Sequence, residues 1–378
     1  LYIMIFHIIT KIILLKSWMS YNILGITPGH NGSVALVSDG ELVYYLEEER
    51  LSRMKRDGNP FKTLYFILNK YKIDEVVLCG AGYQSSKLIG LDEDLFYSIV
   101  RKFYPKVKFT NYSDSHHLTH ASSAFYKSGF KEAIGITIDG NGSAFITEGQ
   151  RVYETESYFF CTYPSNFTCF YKKFISYDLN IKNLNYNYEI TTDITLGKQY
   201  HAVTNYLGFK EGEEGKTMGL ASYGKESKNI PSISNTSISS SFKPIKDPDV
   251  ILGKYIYPLE NTLQNKKNLA WRVQNDTQQL VGDYIEKAIK ETNLKQVCCS
   301  GGYFLNCVAN YYLTKRFPDI KFYFDPVSHD GGTSMGAALY RWHEHSGDTT
   351  IRPRKTLYNG PQYFKEQLLD GIKKYVSN

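Results

Sequence analysis

The chain has 378 residues, of which 42% are hydrophobic and 22% are charged. This composition is typical of a globular protein with room for two domains, and it excludes disordered and collagen-like chains. The formal net charge of +6 falls short of the basic stripe of a dedicated nucleic-acid-binding protein, so we expect no nucleic-acid partner.

The N-terminal segment is set apart from the rest of the chain. Residues 1–15 are almost wholly apolar, but they contain His7 and Lys11 and are shorter than the roughly 20 residues of a membrane helix. A signal-like segment is one explanation, yet Met19 directly precedes the first predicted strand. We therefore interpret residues 1–18 as an apolar extension outside the fold and expect no membrane partner. The six cysteines lack CxxC spacing, which favours a cytoplasmic location.

Periodicity predicts a mixed α/β order in the first half of the chain. Residues 22–49 hold two apolar runs and one alternating run with Gly-rich turns between them, which is typical of a three-strand meander. The elements predicted next are a helix at Phe61–Tyr71, a strand at Glu75–Cys79, a helix at Leu91–Phe103, a strand at Val107–Asn111, a helix at His116–Tyr126 and three strands within residues 133–160.

The second half continues this alternation. The predicted elements are a helix at Leu269–Thr292, a strand running into Ser300-Gly301-Gly302, a helix at Cys307–Arg316, a strand at Ile320–Asp325 and a helix at Thr333–Trp342. The Ser-rich stretch Ser232–Ser241 is interpreted as a surface loop.

Two stretches of the sequence match each other. Residues 25–27 and 31–33 match residues 135–137 and 141–143 at a constant offset, and the match continues into the next strand after a one-residue deletion. This predicts a duplicated β-hairpin. Two facing hairpins with Gly-rich turns can bind a polyphosphate from both sides of a cleft.

These observations predict an α/β fold of the actin, hexokinase and sugar-kinase type, with two mixed-sheet lobes around a nucleotide cleft. We assign residues 20–130 to the first lobe and residues 131–345 to the second. Residues 161–198 are an Asn- and Tyr-rich insertion in the second lobe. Its aromatic side chains could recognise a sugar or base beside the cleft, but we favour a divergent surface excursion.

Two histidines and two aspartates are candidate metal ligands. His116 and His120 lie four residues apart on one face of a predicted helix, although two imidazoles alone are often a surface coincidence. Asp139 and Asp330 each follow an apolar strand and precede glycines, where carboxylates would face the cleft. Mixed imidazole and carboxylate ligands suit Fe(II), Mn or Zn.

Other polar positions leave two explanations open. His30, inside the turn PGHNGS, is either a general base or a hydrogen-bond donor within the turn. The pair Gly301-Gly302 is either an anion seat before a helix or a plain β-α turn. The charged run from Glu47 to Arg56 is either a solvated loop or a source of cations for an anionic or polyhydroxy substrate.

Six blocks of the sequence resemble those of a known family in the same order. They are NILGITPGHNGSVALVSDGELVYYLEEERLSRMKRDG, HHLTHASSAFY, AIGITIDGNG, NYLGFKEGEEGKTMGLASYG, SGGYFLNCVAN and SHDGGTSMGAALY. They resemble the O-carbamoyltransferases related to nodulation protein U and to the cephalosporin and aminoglycoside antibiotic carbamoyltransferases. The resemblance covers about residues 22–360 apart from the insertion, and a related fold serves the tRNA threonylcarbamoyladenosine synthase.

This resemblance implies a two-step reaction. Carbamoyl phosphate and ATP would form carbamoyl-adenylate in a C-terminal YrdC-like domain, which is separate or missing here. Residues 346–378 would begin the junction to that domain. The part of the protein in hand would then transfer the carbamoyl group to a hydroxyl of a small-molecule acceptor, such as a sugar or an antibiotic.

The resemblance also implies roles for particular residues. It gives Fe(II) as the expected metal on His116, His120, Asp139 and Asp330, with Mn or Zn as alternatives, and His30 as the group that takes the acceptor's proton. The residues implied to seat ATP or carbamoyl-adenylate are Gly140, Asn141, Gly142, Gly301, Gly302 and Asn306. The residues implied to contact the substrate are Lys55, Glu214 and Lys216.

Two departures from the family pattern keep other functions open. Asn31 stands where the family usually has an aspartate after the histidine, and Ser143 stands where an acidic residue is common. A nucleotide-binding interaction module without catalysis would explain both changes. Threonylcarbamoyl transfer to tRNA is the other alternative, and the modest charge disfavours it.

Overall fold

The computed structural model describes residues 20–80, 94–147, 150–176, 188–191, 195–210, 212–230, 232, 260–361 and 365–376. The apolar extension and most of the Ser-rich stretch lie outside these residues. Among the described residues, no helix is both long enough and apolar enough to cross a membrane.

The first sheet has the strand order β3-β2-β1-β4-β5. Its strands are β1 (Asn22–Thr27), β2 (Ser33–Ser38), β3 (Glu41–Glu47), β4 (Glu75–Leu78) and β5 (Lys108–Asn111). The central strand β1 is buried along its whole length, which explains its uninterrupted apolar run. It pairs antiparallel with β2 and parallel with β4, so the predicted meander of three strands is confirmed.

The second sheet has the order β10-β9-β8-β6-β11-β12, and β7 pairs with β8 beside it. Its strands are β6 (Glu132–Ile138), β7 (Ala144–Thr147), β8 (Gln150–Thr162), β9 (Asn166–Ser176), β10 (Tyr188–Thr191), β11 (Gln296–Ser300) and β12 (Lys321–Phe324). Like β1, the strand β6 has an antiparallel neighbour on one side, β8, and a parallel neighbour on the other, β11. The two sheets therefore repeat one arrangement, in agreement with the predicted duplication.

The repeat does not extend to the hairpin itself. The sequence match predicts that β6 pairs with β7, as β1 pairs with β2, and this is wrong. The first residues of β8 pair with β7, and the remainder, from Glu156 to Thr162, pairs with β6. The long strand β8 thus takes the place in the second sheet that β2 has in the first.

The surface-excursion interpretation of the insertion is wrong for residues 161–176. Cys161 and Thr162 still pair with β6, and β9 extends the same sheet. The side chains of Phe174 and Ile175 are buried in the described core. Residues 177–187 and 192–194 of the insertion lie outside the described residues.

Ten helices are described beside the two sheets. They are α1 (Glu48–Ser52), α2 (Phe61–Leu68), α3 (Leu95–Phe103), α4 (His116–Ser128), α5 (Leu196–Tyr206), α6 (Glu214–Ala221), α7 (Leu263–Thr292), α8 (Cys307–Arg316), α9 (Thr333–Ser346) and α10 (Lys365–Val376). The predicted helices are present, with ends that differ by a few residues.

Two helices, α4 and α9, lie between the sheets and pack on each other. Gly336 permits their close crossing, because a methyl group there would overlap the backbone oxygen of Thr119. Although α4 comes from the first half of the chain, it packs on β6, β8 and β11, whereas α9 packs on β1, β2 and β4. The lobe boundary at residues 130 and 131 remains a prediction.

Candidate metal centre

Four side chains from three separate parts of the chain converge between the sheets. His116 and His120 lie one turn apart at the start of α4, Asp139 directly follows β6, and Asp330 begins a short turn before α9. One ligand atom from each of the four lies within 4.8 Å of the others. Strands that end at the same edge of the fold place both aspartates opposite the helix.

The distances within this group are short. His116 Nε2 lies 3.3 Å from Asp139 Oδ2 and 3.7 Å from Asp330 Oδ1. His120 Nε2 lies 3.1 Å from His116 Nε2. Both imidazoles are fully buried, whereas the Asp139 and Asp330 side chains are 12% and 22% exposed. The cluster is therefore open to solvent only on its carboxylate side.

The electrostatics of the cluster fit a divalent cation. Burial lowers the pKa of His116, but the hydrogen bonds and charges of Asp139 and Asp330 outweigh it and raise the pKa to about 10. For Asp330 the signs are reversed. Burial alone would raise its pKa, but hydrogen bonds and charges from the two histidines outweigh burial and bring the pKa well below its usual value. Two facing carboxylates thus keep His116 protonated. A divalent cation bound between them would neutralise the carboxylates in place of the imidazolium. The nitrogen and oxygen donors suit Fe(II), Mn or Zn.

Outer contacts orient two of the four candidate ligands. His120 Nδ1 lies 3.2 Å from Ser300 Oγ, which turns Nε2 towards the cluster. Asp139 Oδ1 accepts hydrogen bonds from the backbone N–H groups of Gly140, at 2.8 Å, and Gly302, at 3.3 Å. The other oxygen of Asp139 is left to face the histidines.

A buried carboxylate, Glu154, fixes the start of α4. Its Oε1 accepts hydrogen bonds from the backbone N–H groups of His117 and Ser143, both at 3.1 Å. Ser143 Oγ in turn accepts from the backbone N–H of His116 at 3.2 Å. Glu154 therefore ties the turn that follows Asp139 to the first turn of α4. His117 itself points away from the cluster, because its Nδ1 contacts Ser157 Oγ at 2.8 Å.

The charge of Glu154 is maintained by Lys172. Burial disfavours the ionised carboxylate, but the charges of His117 and of Lys172, whose Nζ lies 2.6 Å from Oε2, hold the pKa of Glu154 at about 2. Burial lowers the pKa of His117 to about 3, so this imidazole is charged only in acid, and Lys172 is the cation beside Glu154 at pH 7.

We expect Glu154→Gln to lower the free energy of unfolding by ~1–3 kcal/mol at pH 7, because the charged partner of Lys172 and of two backbone N–H groups is lost. The folded-state pKa of about 2 lies below the ordinary 4.5. The contribution is therefore complete above pH 4.5 and is lost as the pH falls towards 2. Urea unfolding of both proteins at pH 7 and pH 3.5 measures this, and the gap between them should shrink at the lower pH.

The control for this variant is Glu189→Gln. Glu189 also pairs with a lysine of β9, but its side chain is 47% exposed, so the change should stay within ~0.5 kcal/mol. A similar stability loss in both variants, or a gap that does not narrow with acid, would contradict the assignment.

His30 lies at the solvent side of the cluster. Its side chain is 53% exposed, and Nδ1 lies 3.9 Å from Asp330 Oδ2. The turn that carries it is fixed by backbone hydrogen bonds from Gly29 N–H to the Gly58 oxygen and from Gly32 N–H to the Asp57 oxygen. Asp330 therefore supplies a carboxylate beside His30, although the next residue in this chain is Asn31 and not an aspartate.

Two of the predicted nucleotide-seating residues border the cluster. Gly140 and Gly302 both donate backbone hydrogen bonds to Asp139, and Asn141 follows Gly140 in the same turn. Lys198, near the start of α5, lies over Gly140, since a methyl group there would be 4.0 Å from its Nζ. Lys198 was not predicted, because no sequence pattern connects α5 with this turn.

The other three predicted nucleotide-seating residues, Gly142, Gly301 and Asn306, make contacts within the protein. The N–H groups of Gly142 and Gly301 donate to the backbone oxygens of Glu154 and Ser328. The Asn306 side chain caps α8, because its Oδ1 accepts from the Ala309 N–H at 3.0 Å. A side chain on Gly142 would collide with Glu154. These contacts occupy the backbone N–H groups of Gly142 and Gly301, and Asn306 Nδ2 donates to Gln274 Oε1 at 2.8 Å.

The predicted substrate-contacting residues lie at two facing loops: Lys55 is on the loop after α1, and Glu214 and Lys216 are in the first turn of α6, directly after the second loop. Lys55 is exposed, while Glu214 contacts His201 Nδ1 at 2.9 Å and Lys216 pairs with Glu213 at 2.6 Å. The two loops meet at Arg56, whose guanidinium lies so close to Gly212 that a methyl group on this glycine would overlap it.

Solved structures with the same fold include two HypF proteins. Full-length HypF in its phosphate- and nucleotide-bound form matches 87% of this chain and 56% of that chain, with a TM-score of 0.54 and 15% identity. T. kodakarensis HypF matches 88% of this chain and 48% of that chain, with a TM-score of 0.52 and 12% identity. At these identities the likeness shows the fold alone. The predicted α/β class with two mixed sheets is confirmed.

Sequence comparison defines the family. The family model described as carbamoyltransferase N-terminus matches residues 86–339, so the chain belongs to the carbamoyltransferase family. Nodulation protein NolNO of Sinorhizobium fredii is 26% identical over 381 residues, which cover 90% of this chain and 50% of that protein. An uncharacterised protein of Methanocaldococcus jannaschii is 28% identical over 333 residues, which cover 84% and 56%. The chain thus spans about half the length of the curated relatives it matches.

Proposed function

We propose that this protein transfers a carbamoyl group from carbamoyl-adenylate to a hydroxyl group of a small molecule such as a sugar or an antibiotic. Family membership supports carbamoyl transfer in general. We further propose that a YrdC-like domain, on another part of a longer chain or on a separate protein, makes the adenylate from carbamoyl phosphate and ATP.

The convergence of His116, His120, Asp139 and Asp330 is the observation that carries this proposal. When bound by these residues, a divalent metal supplies positive charge for the adenylate's phosphate and polarises the carbamoyl group. We expect Fe(II), with Mn and Zn as the alternatives that the same donors allow.

His30 is the proposed general base. The acceptor oxygen forms a bond to the carbamoyl carbon, the bond from that carbon to the phosphate oxygen breaks, and AMP leaves. The acceptor's proton passes to His30, and the nearby Asp330 carboxylate stabilises the imidazolium that forms.

We place the nucleotide along the turn at Gly140 and Asn141, with Gly302 and Lys198 beside it. The contacts of Gly142, Gly301 and Asn306 support packing roles for these three instead. The acceptor would lie between the facing loops, within reach of Lys55, Glu214 and Lys216.

A comparison of two carbamoyl donors tests the proposal. We expect metal-loaded protein to release AMP from preformed carbamoyl-adenylate and to produce a carbamoylated acceptor, measured by mass spectrometry over a panel of sugars. We expect no product from carbamoyl phosphate and ATP until a YrdC-like protein is added.

The outcomes separate the two halves of the reaction. Absence of AMP release from carbamoyl-adenylate would overturn the transfer step. Efficient transfer from carbamoyl phosphate and ATP by the chain alone would show that adenylate formation does not need a second domain. A protein lacking the metal, prepared with chelator, is the control for background hydrolysis.

A further inference from the structure

One face of α4 carries more than the two candidate metal ligands. His116, His120, Ser123 and Lys127 follow each other at intervals of four, three and four residues, which keeps them on one side of the helix. All four side chains are buried. We call this row the α4 stripe. The metal centre uses its first two members, and Ser123 and Lys127 have no part in that site.

Ser123 and Lys127 both contact the carboxylate of Asp325. Lys127 Nζ lies 2.8 Å from Asp325 Oδ1, and Ser123 Oγ donates a hydrogen bond to Oδ2 at 2.6 Å. The Lys127 side chain is 3% exposed, and that of Asp325 is fully buried. Burying two charges is costly, and hydrogen bonds to the remaining lone pairs offset that cost. Each oxygen of Asp325 thus has a partner on the α4 stripe.

Asp325 begins the short segment that ends at the candidate ligand Asp330. We call residues 325–330 the ligand segment; it connects β12 to the turn before α9. The Val327 N–H donates to Asp325 Oδ1 at 3.0 Å, and the Ser328 backbone oxygen accepts from the Gly301 N–H at 2.9 Å. The path of the ligand segment is therefore set by the side chain at its start and by the turn after β11.

Both ends of the ligand segment are attached to the α4 stripe. Asp330 Oδ1 lies 3.7 Å from the Nε2 atoms of both histidines, and Asp325 contacts the serine and the lysine. The two attachments are about seven residues apart on the helix, or roughly 10 Å at the helical rise. Because Asp330 follows so soon after Asp325 in the chain, the attachment at Asp325 limits how far Asp330 can move from the histidines.

We propose that Lys127 and Asp325 are positioning residues for the metal centre. Their ion pair holds the start of the ligand segment against α4, which fixes the Asp330 carboxylate relative to the two histidines on the same helix. Metal affinity depends on this arrangement, since donors that must be rearranged on binding lower the net binding free energy. Neither side chain is among the four candidate ligands. The inference rests on the proposed metal centre and is independent of carbamoyl transfer.

A paired substitution in the full chain tests this role. Asp325→Asn alone leaves the charge of Lys127 buried without a partner, whereas Lys127→Met combined with Asp325→Asn removes both charges and should fold. Titration of the chelator-treated protein with Co(II), followed by visible absorption, reports both the affinity and the ligand geometry. We expect the double variant to bind Co(II) about tenfold or more weakly than the unaltered protein, with a changed spectrum, because outer contacts that orient ligands contribute about 10–100-fold.

The matched control is a second buried ion pair on α9. Arg341 Nε lies 2.6 Å from Glu75 Oε1, the Glu75 side chain is 1% exposed, and the pair joins α9 to β4 away from the ligand segment. Arg341→Met combined with Glu75→Gln should lower the urea midpoint of the metal-free protein. Its Co(II) affinity should stay within about twofold of the unaltered value, because distant sites act independently.

A purely structural role of the Lys127 and Asp325 pair predicts a different result. It would change the urea midpoint of the metal-free double variant and leave its Co(II) affinity and spectrum unaltered, and this outcome would overturn the positioning role while the metal centre stands. Equal weakening of Co(II) binding in the Arg341 and Glu75 variant would also overturn it. Failure of the unaltered protein to bind Co(II) would overturn the metal centre and this inference together.

A milder variant covers the case in which the double variant does not fold. Ser123→Ala removes one hydrogen bond to Asp325 and leaves the ion pair in place. It should weaken Co(II) binding by about twofold to tenfold, because the Asp325 carboxylate is held less firmly on the α4 stripe. Unchanged Co(II) affinity in Ser123→Ala would then count against the positioning role.

Discussion

The variant His116→Ala should lose stoichiometric metal. His116 supplies one of four converging donors and contacts both carboxylates, so its removal leaves Asp139 and Asp330 facing each other with a single histidine. Loss of an outer-sphere partner alone lowers metal affinity by roughly 10–100-fold, and loss of a direct ligand should exceed this. Elemental analysis of the purified variant, with a competition titration of the added metal, gives the measurement.

The neighbouring histidine provides the matched control. His117 is equally buried and belongs to the same helical turn, but its imidazole contacts Ser157 and not the cluster. His117→Gln should retain about one metal ion per chain even where it costs stability. Full metal occupancy in His116→Ala would refute the ligand assignment, and loss of metal from both variants would indicate that the first turn of α4 has collapsed.

The variant His30→Ala should retain its metal and lose turnover. If His30 takes the acceptor's proton, its removal lowers the rate of carbamoyl transfer by about 10²–10⁴-fold. Metal content should not change, because the His30 imidazole lies at the solvent side of the cluster, 3.9 Å from the nearest aspartate oxygen. The measurement is product formation from preformed carbamoyl-adenylate under saturating acceptor.

Added imidazole separates a chemical role for His30 from a structural one. A small base that enters the vacated space should restore part of the rate in His30→Ala but not in His116→Ala. The control is His345→Ala, which removes an exposed histidine that stacks on Tyr21 and should leave the rate unchanged. Normal turnover in His30→Ala would exclude the general-base role.

Local patterns in the sequence were enough to predict that the four candidate ligands converge. The spacing of His116 and His120 places both on one helical face, and Asp139 and Asp330 each follow an apolar strand. These rules need only the nearest neighbours along the chain. Strand ends that meet at one edge then bring the four together, as the fold shows.

Features that depend on distant contacts could not be predicted in this way. The sequence match between the two hairpins describes similar turns, but the choice of β8 as the partner of β6 depends on the full length of β8 and on β9 beyond it. Glu154 lies in a strand with no motif around it, and its role arises only where that strand passes under α4. The contact of Arg56 with Gly212 likewise joins loops that are far apart in sequence.

Glycine and asparagine motifs leave two explanations open. The glycines at 142 and 301 and the asparagine at 306 fit a nucleotide-seating pattern, yet close packing and a helix cap account for them. Gly-rich turns serve close backbone approach in general, and a sequence alone does not distinguish approach to a ligand from approach to the protein's own chain.

The helix α4 packs on the second sheet, and α9, from the end of the second half, packs on the first. This arrangement has a consequence for synthesis of the protein on the ribosome. The first sheet needs α9 to cover β1, β2 and β4, and α9 ends at Ser346. The first sheet therefore emerges with one apolar face uncovered and stays so until more than two hundred further residues have been made. Chaperone capture during translation, and not the stability of the finished protein, should then limit its yield.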